Sequence, residues 1–491
     1  MQCLGLDIGS SSIKGAVLDL VTGQVHSIVK EPFPDPIPGL PSGWFEIDPL
    51  EVVVRARRVI SQLLVLAPQA SSLFLCGQMG GVVVVDSDNR PVTNYLSWRD
   101  QRTLAVHRNG GSTLDEIQRR IGPRLAMGSD SAGDQHLSRL GNELKPGSAT
   151  SLLFWLQESS PLPMRVRPST IGDFVISQLA GSLPRMERTQ AIGLVDLSRN
   201  DWNPDAFRSL DLDHLDWGEL ASAEGPVARG TIDGRPLSIH PTLGDQQCAL
   251  RGAGLQLGDL SINVSTGSQV SCITREFTPG PYQSRYFFNG TYLNTITHLP
   301  AGRSLNALVD LLMEWPGRSD RGQGASDKGT GADVSNFGFR ASNFERAPVA
   351  QPSTLNPQPP PSPWPYIAQA AAAAPDGAGG LRCCLSFFDG PLGREGQISG
   401  ITTENLTVGN LFRAAFESMA ETYARLARVL WPSGDWLRVV LSGGLTQSVP
   451  ILRDLIERRF PGQVVESVAA EETLLGLLDV AREVHSKEKY P

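Results

Sequence analysis

Short apolar runs broken by glycine and hydroxyl side chains recur along the chain, and their lengths suit strands more than helices. The first is Cys3-Leu4-Gly5-Leu6-Asp7, which passes through Ile8-Gly9-Ser10-Ser11-Ser12 into Ile13-Lys14-Gly15-Ala16-Val17-Leu18-Asp19. It reads as strand, turn, strand. A second run, Ser72 to Cys76, stops at Gly77-Gln78-Met79-Gly80-Gly81 and resumes as Val82 to Val85, a break of the kind that lets a ligand approach backbone. Ser261 to Thr274 repeats the opening pattern with Ser265-Thr266-Gly267-Ser268 at its tip, and Leu437 to Leu441 runs into Ser442-Gly443-Gly444. Helical patterns separate these runs. Thr170 to Gly181 ends in a glycine stop, Thr407 caps a segment with Leu411, Ala415 and Met419 spaced by four, and Val449 to Phe460 and Glu471 to Ala481 follow. The two similar hairpins suggest a duplicated α/β domain.

Length makes that duplication reasonable, since 491 residues exceed one ordinary core. The division expected is an N-terminal domain over 1–252 and a C-terminal domain over 253–491. A Gly- and Pro-rich insertion is placed at about 317–365, because that composition cannot bury a core. Hydrophobic content of 40%, charged content of 19% and a net charge of -8 give no basic footprint for nucleic acid. The six cysteines form no paired CxxC set and read as reduced, buried thiols of a cytoplasmic protein. The N-terminus lacks the apolar run of a signal peptide, and no stretch is long and apolar enough to span a membrane.

Three stretches could carry chemistry. The Gly9, Ser10, Ser11 turn offers N–H groups and hydroxyls to a phosphate, with Asp7 placed to hold Mg²⁺ through water and Lys14 adding charge. It is not a P-loop, since GxxxxGK[ST] is absent. In Trp98-Arg99-Asp100-Gln101-Arg102-Thr103 an aromatic ring is followed at once by charges, which suits a polyol equally as well as it suits a helix start with a surface charge set. Asp245, in Thr242-Leu243-Gly244-Asp245-Gln246-Gln247, is either a turn aspartate or a general base that takes a hydroxyl proton during phosphoryl transfer.

Taken in order, these segments resemble the signatures of the FGGY carbohydrate kinases, which include xylulokinases, ribulokinases, glycerol kinases and sedoheptulokinases. Asp7 to Lys14 is similar to that family's first phosphate hairpin, and Ser265 to Ser268 to its second. Gly77-Gln78-Met79 and Trp98 to Thr103 are similar to its sugar-site segments, and Ser442 to Ser448 to its adenosine motif. Tyr286 to Leu293 gives the chain its likeness to sedoheptulokinases. The resemblance implies two actin-like (ribonuclease H-like) ATPase domains of α/β class flanking a catalytic cleft. It implies ATP as co-substrate, Mg²⁺, a small-molecule sugar as acceptor, and a monomer or homodimer. It puts general-base work on Asp245, and metal contact on Asp7 and Asp245. Nucleotide contacts fall on Gly9, Ser10, Ser11, Lys14, Thr266, Gly267, Gly443, Gly444 and Ser448. Gln78, Met79, Trp98, Asp100, Arg102, Asp245 and Gln246 face the sugar. The chain departs from the family at Gly80, where histidine is frequent, and in the reversed order of Arg394 and Glu395. Other readings stay open: a kinase for another ketose or polyol, a nucleotide-dependent switch of the actin and heat-shock type, or an inactive sugar or nucleotide sensor.

Overall fold

The computed structural model describes residues 1–122, 136–314, 362–388, 390–467 and 471–489, in two compact units. Unit 1 comprises 1–258, 272–295 and 467–491, and unit 2 comprises 259–271 and 296–466. The expected insertion at 317–365 lies, up to residue 361, outside the described residues.

Unit 1 is built on a six-stranded sheet in the order Ala228–Ile232, Arg235–Gly244, Ser72–Gly77, Gln2–Ile8, Ser12–Asp19, Gln24–Pro32. The central strand Gln2–Ile8 runs parallel to Ser72–Gly77, which runs parallel to Arg235–Gly244, while the outer pairs are antiparallel. A near-continuous apolar run such as Ser72 to Gly77, buried at every position, is what a strand covered on both faces requires. Helix Pro49–Leu66 starts where the Asp48 side chain accepts from the Leu50 amide and Pro49 occupies the first turn, and it buries Val52, Ala56, Val59, Ile60 and Leu63. Helix Ile171–Ala180 is capped by Thr170 and stopped by Gly181 at φ +67°, as its sequence pattern predicts. Its Phe174 and Val175 join the same core, and each such side chain contributes about 1.5–3 kcal/mol by leaving water.

Unit 1 carries a second core around Leu96, Leu152, Leu153, Phe154, Ile117 and Phe207. It also contains a hairpin in which Gln283–Tyr286 pairs antiparallel with the strand beginning at Tyr292, register Gln283 to Thr295 and Arg285 to Leu293. Helix Glu472–Lys489 completes it.

In unit 2, strand Leu260–Val264 runs parallel to Val439–Ser442, and this to Val464–Glu466. Helix Val408–Leu430 opens on Thr407, whose side chain accepts from the Asn410 amide, and it buries Leu411, Ala415 and Met419 together with Phe412 and Phe416. An Ala-rich helix runs from Trp364 to Ala373. All six cysteines are free thiols, five of them buried, whereas Cys384 is exposed instead of packed away. Among the described residues no helix is long and apolar enough to cross a membrane.

Candidate active site

Parallel strands end in register, and that alone gathers several of the candidate residues. Asp7 pairs with Cys76, Cys76 with Leu243, and Gly77 with both Ile8 and Gly244. The carboxyl ends of three adjacent strands therefore deliver Asp7, Gln78 and Asp245 to one edge of the sheet, the edge at which open α/β sheets take their ligands. Asp245 is the first residue of helix Asp245–Gly252, where the helix dipole favours a negative charge, and its Oδ1 accepts from the Gln246 amide at 2.8 Å.

Asp7 is 8% exposed. Its Oδ2 accepts from Thr473 Oγ1 at 2.8 Å, and its Oδ1 has no hydrogen-bond partner among the described residues. Burial raises its pKa above the usual carboxylate range, against the opposing pull of the Thr473 bond and of Lys14. The Asp245 carboxyl is pushed up to about 7, first by burial and then by the neighbouring Asp7 charge, with the Gln246 amide and Arg285 pulling it back. A buried carboxylate close enough to raise the pKa of another is a poor device for stability. The two suit a cation or a proton in transit.

Behind this edge a polar frame holds the strand ends. Gln190 Nε2 donates to Gly77 O at 2.9 Å and to Leu243 O at 2.7 Å, bridging two strands immediately before they end. Thr189 Oγ1 accepts from the Gly244 amide at 2.9 Å and donates to Glu187 Oε2 at 2.5 Å. Nothing in the local sequence of Thr189 to Trp202 marks these residues, because their partners lie on distant strands. Arg285 and Glu143 escape sequence reading for the same reason. Arg285 Nε donates to Glu143 Oε1 at 2.5 Å, and its Nη1 donates to the side-chain oxygen of Gln246.

Gln78 is 3% exposed, and neither its Nε2 nor its Oε1 has a partner among the described residues. A buried amide left open on both ends costs about 1–3 kcal/mol per unsatisfied group, so its retention points to a ligand. The Met79 sulfur lies against Gly244. Gly80 stands at φ +76°, where an added Cβ would meet Trp98 Cβ at 3.3 Å and Gly147 O at 3.4 Å. The backbone there is shaped for glycine, and a histidine at that place would be strained.

Trp98 is 41% exposed beside this glycine pair. Asp100 and Arg102, by contrast, are spent on each other. Arg102 Nε donates to Asp100 Oδ1 at 2.9 Å, its Nη2 donates to Asp100 Oδ2 at 2.8 Å and to Glu46 Oε1 at 2.7 Å, and the Phe45 amide donates to Asp100 Oδ2 at 2.7 Å. The guanidinium is stacked 4.0 Å from the Trp44 ring centroid and 4.8 Å from that of Trp155. With Asp100 fully buried and Arg102 3% exposed, the pair anchors the Trp98 loop. Lys14 is likewise engaged, donating to Glu471 Oε2 at 3.0 Å across a partly exposed pair.

The hairpin turn holds Gly9, Ser10 and Ser11 beyond Ile8, with the Gly9 amide bonded to Ser12 O at 3.1 Å and the Phe33 amide to Ser11 O at 3.1 Å. In unit 2, Thr266 and Gly267 form the tip between Leu260–Val264 and Ser268–Thr274, where the Arg303 amide donates to Thr266 O at 2.8 Å. Gly443 follows strand Val439–Ser442 at φ +98°, and an added Cβ would lie 2.2 Å from Val264 O. Only glycine fits there. Gly444 opens the short helix Gly444–Ser448, an added Cβ on it would meet nothing within 4 Å, and Ser448 Oγ donates to Gly444 O at 2.6 Å.

No cluster of three or more His, Cys, Asp or Glu side chains that could hold a metal occurs among the described residues. Mg²⁺ takes one or two carboxylates and fills its other positions with water and phosphate oxygens. The unpartnered Asp7 Oδ1 beside Asp245 supplies hard oxygen donors of that kind.

Residues 2–229 match the profile of the FGGY family of carbohydrate kinases, N-terminal domain. The chain is 26% identical over 324 residues to a xylulose kinase of Lactococcus lactis subsp. lactis (strain IL1403), covering 62% of this chain and 60% of that one. It is 23% identical over 279 residues to a glycerol kinase of Thermococcus kodakarensis, covering 54% of this chain and 52% of that one. The matched stretch thus spans less than two thirds of either relative. Among solved structures, a xylulose kinase from Rhodospirillum rubrum superposes with a TM-score of 0.74 at 19% identity, covering 98% of this chain and 90% of that one. A gluconate kinase from Lactobacillus acidophilus gives 0.77 at 16%, covering 99% and 90%. These likenesses show the fold, an α/β arrangement of two actin-like (ribonuclease H-like) domains.

Proposed function

We propose, from the premise that residues 2–229 belong to the FGGY family of carbohydrate kinases, that this chain is an ATP-dependent kinase. It would transfer the γ-phosphate of ATP to a hydroxyl of a ketose. The acceptor we put first is sedoheptulose, giving sedoheptulose 7-phosphate.

The observation that carries the reading is the placement of Asp7 and Asp245 at the ends of two parallel strands that flank Ser72–Gly77, whose own end leads into the unpartnered amide of Gln78. Asp245, with its carboxyl held near neutrality, takes the acceptor's proton as the phosphoryl group passes in line. Gln78 supplies both a donor and an acceptor to the sugar, as neighbouring hydroxyls require. Trp98 offers an apolar face to the carbon side of the ring, and the Asp100–Arg102 pair holds that loop in place. Gln246 contributes its side-chain amide from the same turn as Asp245.

On this reading phosphate contacts fall on Gly9, Ser10 and Ser11 in unit 1 and on Thr266 and Gly267 in unit 2, and adenosine contacts on Gly443, Gly444 and Ser448 in unit 2. Mg²⁺, held by Asp7 and Asp245 largely through water, would neutralise charge on the phosphate oxygens. Lys14 would add positive charge once released from Glu471 or while still paired with it.

The likeness to kinases named for xylulose, glycerol and gluconate favours a second reading in which the acceptor is one of those. An ADP-release assay with Mg²⁺-ATP over sedoheptulose, xylulose, ribulose, fructose, gluconate, ribitol and glycerol tests both. A highest kcat/KM for sedoheptulose supports the first reading, and a highest value for another member replaces it. Silence across the panel, with ATP binding intact, overturns the kinase assignment in favour of a sugar or nucleotide sensor.

A further inference from the structure

The strand Gln283–Tyr286 carries a positive charge that the chemistry above does not use. Arg285 is 6% exposed and Glu143 is 2% exposed, so both charges are withdrawn from water. A buried ion pair is weak grounds for stability, because desolvation offsets most of its Coulombic gain. Its place in the fold deserves another explanation.

Local structure shows how firmly the guanidinium is aimed. Gln283, Arg285 and Thr295 share one face of the hairpin, since Gln283 and Arg285 are two residues apart and Gln283 lies directly opposite Thr295. The segment holding Glu143 is locked to this strand by backbone: the Ser284 amide donates to Gly141 O at 2.9 Å. Glu143 then takes Arg285 Nε on Oε1 and Gln283 Nε2, at 3.2 Å, on Oε2. Arg285 Nη1 donates to the side-chain oxygen of Gln246, the residue after Asp245. That bond fixes which end of the Gln246 amide is which: oxygen toward Arg285, nitrogen away, with Nε2 3.4 Å from Thr295 Oγ1. Among the described residues the Arg285 side chain makes no other hydrogen bond, so its Nη2 keeps donors in hand, one residue along the chain from Asp245 through the bond to Gln246, and its charge is felt by the Asp245 carboxyl.

We infer that Arg285, aimed by Glu143, is an acceptor-recognising residue of this site: its Nη2 edge donates to an oxygen of the acceptor next to the hydroxyl facing Asp245, and its Nη1 sets the Gln246 amide as a donor to the same molecule. The inference rests on the kinase reading and names a specificity element within it. Arginine suits an acceptor that presents two adjacent oxygens, such as a vicinal diol or the hydroxy-ketone end of a ketose, because its planar fork is matched to paired acceptors. Glu143 is a positioning residue in this scheme and touches no substrate.

The test uses the full chain with Mg²⁺-ATP and the best acceptor of the wild-type panel. Arg285→Gln is expected to raise the KM of the acceptor about 10- to 100-fold while leaving the KM of ATP within about twofold. Arg285→Lys, which keeps the charge but loses the fork, should recover part of that loss. Glu143→Gln should raise the acceptor KM by a smaller factor. If Arg285→Gln does not fold, the Lys and Glu143→Gln variants carry the same comparison. Equal shifts in both KM values, or an unchanged acceptor KM in a folded variant, would overturn the inference and leave the kinase reading standing. A wild-type protein that phosphorylates nothing in the panel removes both.

Discussion

Two polar clusters in unit 1 differ in one respect. At Asp100 and Arg102 both carboxylate oxygens and the Nε and Nη2 of the guanidinium have found protein partners, and two tryptophan rings lie against the guanidinium. At Asp7 and Gln78 the opposite holds, with a carboxylate oxygen and both ends of an amide buried and unmatched. Folding alone explains the first cluster. The second is intelligible only if something outside the chain completes it, since unsatisfied buried groups weaken the fold that contains them.

The contrast is open to direct attack. Asp245→Asn keeps the volume and removes the base, so kcat is expected to fall by about 10²- to 10⁴-fold while acceptor and nucleotide still bind, measured by turnover and by titration calorimetry. Undiminished turnover would sink the base assignment. Arg102→Ala strands the buried Asp100 carboxylate, and a loss of about 3–5 kcal/mol is expected in denaturant unfolding, with kcat of the folded fraction changed only a few-fold. Should that variant instead lose turnover at unchanged stability, Arg102 belongs to the reacting site.

Gln78→Leu sharpens the comparison further. Removing an unmatched amide should leave stability equal or raise it by about 1 kcal/mol, yet raise the acceptor KM about tenfold. A drop in stability would show that the amide is satisfied in the folded protein. The smallest effect is that of pH. A base must be ionised, and burial lifts the Asp245 carboxyl to about 7, so kcat/KM should decline about tenfold per unit below that value, read from a pH–rate profile. The stability effect has the reverse sign: an acid whose folded pKa exceeds its unfolded value stabilises below the unfolded pKa, near 3.8, and this contribution fades as pH rises through about 7. A bound divalent cation would move the activity limb to lower pH.

Much of the architecture was written locally. The opening hairpin, the strand Ser72–Gly77, the capped helices after Thr170 and Thr407 and the helix before Phe460 follow from apolar spacing, hydroxyl caps and glycine stops that act within a few residues. Asp7, Gln78 and Asp245 were legible because each ends an apolar strand. The role of Asp100 and Arg102 as a closed pair was not, since it depends on Glu46, Trp44 and Trp155, brought in from outside the motif. Glu143, Gln190 and Arg285 were hidden for the same reason: their meaning lies in partners between 39 and 142 positions away.

The threading of the chain also governs how it is made. Asp7 leaves the ribosome more than 400 residues before Thr473, whose hydroxyl bonds it, and Lys14 likewise precedes Glu471, the carboxylate opposite it. Unit 1 is closed by residues 467–491, which are synthesised after the whole of unit 2. The strands of the first sheet are all complete once Gly244 is made, so they wait for more than 220 further residues before Asp7 and Lys14 meet their partners, and in that interval they are open to chaperones and proteases. A release of the nascent chain before Glu471 would yield a polypeptide with every strand of that sheet and no means of finishing it.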